Sequence, residues 1–217
     1  MADFATARRR MVDNQLRTSN ITDRRILSAM DEVPRERFIP GAREGLVYGD
    51  TVHDLGHGRS LAPPAPFARL IQLAEIKSTD AVLDIGAGTG YSTAVLARLA
   101  AQVTGLESSP ELAAKARELL GELGVGNASI VEGSLDGAGQ RPGSYDVIVL
   151  EGAVAEEPTG LFPLLKDGGR LVGLLQGKGP GVAHLYVRSG RDVASRGEFN
   201  AALPLLNPAP RTESFVF

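Results

Sequence analysis

A glycine-rich turn between an apolar run and a helix-forming segment is the strongest constraint on the fold of this chain. Residues 81–85 are apolar except for Asp84, and they lead into Gly86-Ala87-Gly88-Thr89-Gly90. The next residues, 91–97, favour a helix. A strand, a glycine turn and a helix in this order let the backbone approach a ligand without interference from a Cβ atom. The motif predicts an α/β protein that binds a ligand at this turn.

A carboxylate follows the next apolar run. Residues 103–106 are mostly apolar and end at Glu107, seventeen positions after Gly90. The tip of the second strand is where a nucleotide-like ligand presents its ribose hydroxyls to an acidic side chain. The glycine turn and Glu107 together indicate a nucleoside cofactor.

The glycine spacing and Asp84 favour S-adenosylmethionine (SAM) as that cofactor. A dinucleotide site usually has the pattern G-x-G-x-x-G, whereas this chain has G-x-G-x-G, with Tyr91 three positions after Gly88. Asp84 would repel a pyrophosphate, but it suits the amino group and sulfonium of SAM. We therefore predict SAM, with NAD or FAD and an ordinary glycine turn as the alternatives.

The alternation of elements predicts a Rossmann-like α/β fold with a mostly parallel, doubly wound sheet. The expected strands are 81–85, 102–106, 128–131, 145–150 and 169–175, and the expected helices lie near 91–100, 109–123 and 157–166. Residues 183–188 and 193–199 are expected to close the sheet as an antiparallel hairpin. Ligands bind such sheets at the carboxyl ends of the strands, where Glu107 and Glu151 fall.

The N-terminal part of the chain has a different pattern. Apolar residues at near-helical spacing predict helices in the first 40 residues, and Thr22 is the expected N-cap of the second helix. Residues 41–65 contain many Gly and Pro and are expected to form an irregular, functional loop. A helix is expected from Phe67 to Ile76. We therefore divide the chain into a helical extension with a substrate loop (1–65) and a cofactor-binding domain (66–217).

Composition excludes several classes of function. A net charge of −3 and a pI near 5.7 argue against a dedicated nucleic-acid-binding protein. The absence of Cys excludes chemistry that needs a cysteine adduct. No apolar run approaches the ~18 residues of a membrane span, and Arg8-Arg9-Arg10 is not followed by the apolar core of a signal peptide. A cytoplasmic location is expected, with neither nucleic acid nor membrane as partner, and the oligomeric state is left open.

One loop invites a metal-binding interpretation. His53, Asp54 and His57 supply two histidines and one aspartate, without a further convincing ligand. Solvent-exposed loop histidines are the favoured interpretation, and no metal is predicted.

Several segments resemble protein-L-isoaspartate O-methyltransferases, which are class I SAM-dependent enzymes. Residues 33–40 (V-P-R-E-R-F-I-P) are similar to the family signature V-P-R-x-x-F-V-P, and residues 58–64 (G-R-S-L-A-P-P) to its G-Q-T-I-S-Q-P segment. Residues 86–97 and 165–172 resemble its G-x-G-x-G-Y-x-x-A-x-L-A and L-K-x-G-G-R-L-V motifs. The resemblance covers roughly residues 8–177.

The resemblance implies methylation of the free carboxylate of an isoaspartyl residue in a damaged protein or peptide. Such a carboxylate, with a pKa near 4, is already ionised at pH 7, so the reaction needs no general base. The enzyme has mainly to align the oxygen with the methyl group and exclude water.

Two departures from the family affect the expected site. Ala62 stands where the family has a Ser that binds the substrate carboxylate, so Ser60 and Arg59 are assigned to that task. Gly133-Ser134-Leu135 stands where the family has G-D-G, so the family's acidic adenine contact is missing unless Ser134 or Asp136 replaces it. The expected cofactor-binding residues are Asp84, Gly86, Ala87, Gly88, Gly90, Glu107, Ser108, Ser134, Leu135 and Glu151. A different small acceptor and a SAM-binding homologue without isoaspartyl activity are the alternatives.

Overall fold

Short helices and a small hairpin make up the N-terminal part of the chain in the computed structural model, which describes residues 3–42, 44–177 and 179–206. The α-helices are α1 (Phe4–Met11), α2 (Arg24–Glu32) and α3 (Glu44–Val47), with a π-helical turn at Val12–Leu16 and 3-10 turns at Arg17–Ser19 and Arg35–Phe38. An antiparallel hairpin follows, formed by β1 (His53–Gly56) and β2 (Arg59–Leu61). The loop expected at 41–65 is therefore more ordered than predicted.

A seven-stranded sheet forms the rest of the fold. Its strands are β3 (Ala81–Ile85), β4 (Gln102–Glu107), β5 (Ala128–Glu132), β6 (Tyr145–Val154), β7 (Leu165–Leu175), β8 (Gly181–Ser189) and β9 (Asp192–Ala201). The spatial order is β5-β4-β3-β6-β7-β8-β9. Strands β3 to β7 are parallel, whereas β8 and β9 are antiparallel to their neighbours. This topology confirms the predicted Rossmann-like fold and its closing hairpin.

Three further helices pack, together with the N-terminal helices, against one face of the sheet. They are α4 (Pro64–Leu73), α5 (Tyr91–Leu96) and α6 (Pro110–Glu122). Val82, Val147 and Val149 supply that face, and the alternate residues Leu83 and Ile148 point to the other. Among the described residues, the second face is covered by loops and a 3-10 helix, Thr159–Leu164, and not by an α-helix.

Three local predictions are wrong. An α-helix was expected at 157–166, but Pro163 lies inside the six-residue 3-10 helix and Leu165 already begins β7, because proline removes a donor that an α-helix needs. The N-cap of α2 is Asp23, whose side chain accepts a hydrogen bond from the backbone N–H of Arg25, and not Thr22. Helix α4 begins earlier than expected, at Pro64, because its first turn requires no backbone donors.

None of the helices in the described part of the chain combines the length and the apolar character that a membrane crossing requires.

Candidate active site

The glycine turn lies at the carboxyl edge of the sheet, between β3 and α5. Gly86, Gly88 and Gly90 all have positive φ angles, of 84°, 55° and 95°. The N–H groups of Gly86 and Ala87 donate to the Leu106 carbonyl at 2.9 and 3.2 Å, which fixes the turn against β4. A Cβ atom added to Gly88 would lie 2.8 Å from Leu55 Cδ1. The turn therefore requires glycine for both its backbone angles and its close approaches.

Glu107 ends β4 beside this turn, and its side chain is fully buried. Its carboxylate accepts hydrogen bonds from the backbone N–H groups of Gly88 (2.8 Å), Ser108 (2.7 Å) and Ser109 (2.9 Å). Backbone donors of this kind hold an ionised carboxylate in one orientation. Glu107 is thus fixed at the strand tip where the sequence predicts a contact with ribose.

Arg59, predicted to bind a substrate carboxylate, lies instead against Glu107. Its Nε donates to the two carboxylate oxygens at 3.1 and 3.3 Å, and its Nη2 donates to Ser108 Oγ at 2.7 Å. Its Nη1 donates to the carbonyl of Leu206 at 2.6 Å. Sequence reasoning missed this ion pair. The only signal was that an Arg stands where the resembling family segment has Gln.

Two further carboxylates lie beneath the turn. Asp84 Oδ2 accepts hydrogen bonds from Ser92 Oγ (2.8 Å) and Thr93 Oγ1 (2.5 Å). The carboxyl groups of Asp84 and Glu151 lie within hydrogen-bonding reach of each other. Apart from this contact, Asp84 Oδ1 and Glu151 Oε1 are buried without a partner among the residues that the structure describes. Burial raises the pKa of Asp84 to about 6. Burial, together with the negative charge of Asp84, raises the pKa of Glu151. Buried carboxylate oxygens without donors suit a ligand with a cationic end, so these residues fit the amino group and sulfonium of SAM.

The predicted adenine contacts follow β5, and Leu135 packs in the apolar cluster on the second face of the sheet. Leu135 is buried and lines a cavity of about 470 Å³, together with Leu150 and Leu161. Ser134 is exposed and contributes its carbonyl to a turn, accepting from the N–H of Gly137 at 3.1 Å. The cavity has the size of a small-molecule site, and its apolar wall suits a flat base.

The predicted acceptor residues line a second, much smaller cavity. Ser60 is half-buried and shares a space of about 10 Å³ with Ala62, Arg59 and Glu151. This volume is at the lower limit for one water molecule. The predicted catalytic residues Ser60 and Arg59 therefore lie together next to Glu151, and the space that they line has almost no free volume.

A buried arginine behind this cavity was not singled out from the sequence. Arg35 has 0% exposure, donates from Nε to the Val47 carbonyl (3.0 Å) and from Nη2 to the Ala62 carbonyl (2.6 Å), and lies 5.0 Å from the centre of the Tyr91 ring. Arginine is among the residue types least often buried, so the sequence carries no signal for this placement beyond its position in the V-P-R segment. Arg35 fixes the backbone that carries Ala62.

The strand order and the carboxylates around the glycine turn define a class, the Rossmann-like α/β proteins of the class I methyltransferase type. A family model described as Protein-L-isoaspartate(D-aspartate) O-methyltransferase (PCMT) matches residues 6–196. The chain therefore belongs to this family.

Comparisons with individual proteins agree. The chain is 41% identical over 167 residues to Protein-L-isoaspartate O-methyltransferase 2 of Anaeromyxobacter sp. (strain Fw109-5), which covers 77% of this chain and 69% of the relative. It is also 41% identical over 174 residues to Protein-L-isoaspartate O-methyltransferase of Koribacter versatilis (strain Ellin345), a match that covers 79% of this chain and 78% of the relative. A solved protein-L-isoaspartate O-methyltransferase superposes with a TM-score of 0.80 at 26% identity. That match covers 91% of this chain and 65% of the solved chain, slightly less than two thirds of its length.

Proposed function

We propose that this protein is a SAM-dependent O-methyltransferase of the protein-L-isoaspartate repair type, which methylates a carboxylate in a damaged protein or peptide. The observation that carries the proposal is the match of residues 6–196 to the family model. The buried carboxylates around the glycine turn support it, because they suit a cationic nucleoside cofactor.

SAM supplies an electrophilic methyl group on a sulfonium. Glu107, with Ser108 beside it, is assigned to the ribose hydroxyls. The backbone of residues 86–90 is assigned to the methionine part of the cofactor. Asp84 and Glu151 are assigned to its cationic end, because each has a buried oxygen that no donor outside this pair of carboxyl groups reaches among the described residues. Leu135 and Ser134 are assigned to the adenine.

The side chains near the acceptor have little chemistry to perform. An ionised carboxylate is already the nucleophile at pH 7, so the site has to hold it and exclude water. Ser60 is the proposed hydrogen-bond donor to that carboxylate, and the space of about 10 Å³ that it lines leaves almost no room for water. Arg59 remains a candidate for an ion pair with the acceptor carboxylate, which requires that its present hydrogen bonds to Glu107 and Leu206 are broken.

Ala62 favours a second candidate function. Its side chain cannot donate a hydrogen bond, and Pro63 and Pro64 remove two backbone donors beside it. A methyltransferase with a different small acceptor would be compatible with this loop.

Transfer of labelled methyl groups from SAM tests the proposal. We expect an isoaspartyl peptide to be methylated and the same peptide with ordinary Asp to remain unlabelled. Ser60→Ala should lower transfer roughly ten- to hundredfold, since a hydrogen bond to a charged group contributes roughly 1.5–3 kcal/mol. Ala62→Ser should raise it.

The controls separate the candidate functions. If SAM binds while the wild type and Ala62→Ser both fail to methylate the isoaspartyl peptide, the repair function is wrong and a different acceptor is indicated. If the Asp peptide is labelled as well as the isoaspartyl peptide, the proposed specificity for isoaspartate is wrong.

A further inference from the structure

A short segment of the chain lies across the cofactor cleft. Residues 203–206, called the strap below, run beside the end of β6. The N–H of Ala153 donates to the Pro204 carbonyl at 2.9 Å, and the N–H of Leu206 donates to the Ala153 carbonyl at 2.7 Å. A Cβ atom on Gly152 would lie 3.1 Å from the Pro204 oxygen, and one on Gly86 would overlap the side chain of Leu206. The strap is therefore packed directly onto the glycine turn.

The strap divides the cleft into two parts. Leu205 and Leu206 line both the cavity of about 470 Å³ beside Leu135 and the space of about 10 Å³ beside Ser60. A nucleoside cofactor that reaches from Leu135 to the acceptor position needs these two spaces to be continuous. Its binding therefore requires Leu206 to move.

Arg59 joins the strap to Glu107. Its side chain is 7% exposed and that of Glu107 is 0% exposed, so the ion pair between them is shielded from water. Nη1 holds the Leu206 carbonyl at 2.6 Å while Nε is bound to the carboxylate. A carboxylate has about four acceptor positions, and three backbone N–H groups already take three of them. Arg59 Nε donates to both oxygens, and Ser108 Oγ donates to one of them at 3.4 Å, so ribose hydroxyls can reach the carboxylate only where Arg59 leaves it.

We propose that Arg59 is a positioning residue that couples cofactor binding to movement of the strap. When ribose hydroxyls take Glu107, Arg59 leaves the carboxylate and the strap is released. The guanidinium is then available, beside Ser60, for the carboxylate of the acceptor. The cofactor therefore binds before the acceptor. This inference depends on the proposed function only for the identity of the cofactor.

We call the arrangement in which Arg59 is bound to Glu107 and Leu206 lies against Gly86 the closed arrangement. The coupling predicts that the cofactor binds more tightly when either of these contacts is weakened. A ligand that binds only the open arrangement has its apparent affinity reduced by the fraction of molecules that are open. Arg59→Gln introduces the residue that the resembling family segment has at this position, and it removes the ion pair. Leu206→Ala removes the side chain that lies on Gly86.

Calorimetric titration with S-adenosylhomocysteine tests this directly. We expect both variants to bind about tenfold more tightly than the wild type. The double variant should gain little more than the better single variant, because both substitutions act on one closed arrangement. Arg170→Gln is the matched control, since Arg170 forms a partly buried ion pair with Asp80 (2.5 Å) at the opposite end of β3. Its affinity should equal that of the wild type.

Hydrogen exchange gives a second measurement that does not depend on activity. The N–H groups of Ala153 and Leu206 are bonded between β6 and the strap. We expect both to exchange faster when S-adenosylhomocysteine is added, whereas a ligand that only rigidifies the protein slows exchange. In Arg59→Gln, exchange at these two positions should be fast before any ligand is added.

The outcomes separate this inference from the proposed function. Weaker binding by Arg59→Gln, or slower exchange at Ala153 and Leu206 on ligand addition, overturns the role of Arg59 and leaves the methyltransferase proposal intact. Tighter binding by Arg59→Gln, combined with no methylation of an isoaspartyl peptide by the wild type, supports the role of Arg59 and contradicts the repair function. If no variant binds S-adenosylhomocysteine, the cofactor assignment is wrong and the coupling is wrong with it.

Discussion

At the scale of single residues, the sequence located the carboxylates of the site but not their partners. Glu107 lies at the strand tip where the spacing from Gly90 predicted it, and Asp84 lies buried beneath the turn. The ion pair between Arg59 and Glu107 joins positions 48 apart in the chain, and the bond from Arg59 to Leu206 joins positions 147 apart. No periodicity or local motif connects such distant residues. Only the folded chain shows them.

The ribose assignment of Glu107 is testable in a background without its buried cation. In Arg59→Gln, the further change Glu107→Ala should weaken binding of S-adenosylhomocysteine ten- to hundredfold, since a hydrogen bond to a charged group contributes roughly 1.5–3 kcal/mol. Calorimetry measures the change. Glu111→Ala in the same background is the control, because Glu111 lies exposed on α6 and should leave affinity unchanged. Equal affinities in the two double variants would contradict the assignment.

The raised pKa of Asp84 predicts that SAM binding depends on pH. With a pKa of about 6, this carboxyl is ionised at pH 7 and becomes neutral below pH 6. A neutral carboxyl cannot balance a cation, so SAM affinity should fall by up to about tenfold per pH unit below 6. The contribution of this group to the free energy of unfolding changes in the direction opposite to the SAM affinity. It increases as pH falls from 6 towards the unfolded value of 3.8, because the folded state binds the proton more tightly.

Calorimetry with SAM from pH 5 to 8 measures this dependence. Asp84→Asn is the control, and it should bind SAM weakly with a flat profile over the same range. A flat profile in the wild type would show that Asp84 does not face the cationic end.

At the scale of elements, prediction succeeded where a regular pattern runs between clear boundaries. Strand β3 has the predicted bounds, and α6 differs from its prediction by one residue at each end. The prediction at 157–166 is wrong because apolar residues there have helical spacing while Pro158 and Pro163 prevent an α-helix. The β1–β2 hairpin was missed because its strands have four and three residues, too few for a pattern of alternation to emerge.

The turn between β3 and α5 gives the prediction at this scale. Gly88→Val should abolish binding of S-adenosylhomocysteine, because a side chain there would fill the approach to the turn, where Leu55 already lies within 2.8 Å of a Cβ atom. Gly139→Val is the matched control. Gly139 also has a positive φ angle, of 83°, but nothing lies within 4 Å of its added Cβ. Both variants carry backbone strain of about 1 kcal/mol or more.

Only Gly88→Val should lose binding of S-adenosylhomocysteine. Calorimetry measures this binding, and thermal unfolding measures how far each variant is destabilised. Loss of binding in both variants would indicate that general destabilisation, and not a filled cleft, is responsible.

At the scale of the whole molecule, the helical extension and the cofactor-binding part share one apolar core. Met11 and Met30 from the extension belong to the same buried cluster as Val82 and Val149 of the sheet. The division predicted at residue 65 follows a change in sequence pattern, from helices and an irregular loop to alternating strands and helices. The shared core depends on contacts between distant parts of the chain, which sequence pattern does not report. Arg35 adds a polar connection across the same boundary.

Arg35 is expected to be essential to how these parts fit together. Arg35→Ala leaves the carbonyls of Val47 and Ala62 buried without their donors and opens a cavity beside Tyr91. Each buried carbonyl left without a donor costs about 1–3 kcal/mol, so loss of the two bonds should lower the free energy of unfolding by roughly 2–6 kcal/mol. Urea unfolding followed by circular dichroism measures it. Arg10→Ala is the control, since Arg10 lies exposed on α1 and should change stability by no more than about 0.5 kcal/mol.

The position of the lost bonds determines what else should change in Arg35→Ala. The Ala62 carbonyl belongs to the segment that carries Ser60. Glu107 also contacts Arg59 of that segment, but three backbone N–H groups outside it, those of Gly88, Ser108 and Ser109, hold its carboxylate beside the glycine turn. Under conditions where the variant is folded, binding of S-adenosylhomocysteine should therefore survive while the KM for an isoaspartyl peptide rises. An equal loss of cofactor binding would contradict this division, because it would mean that Arg35 supports the cleft as a whole and not only its acceptor side.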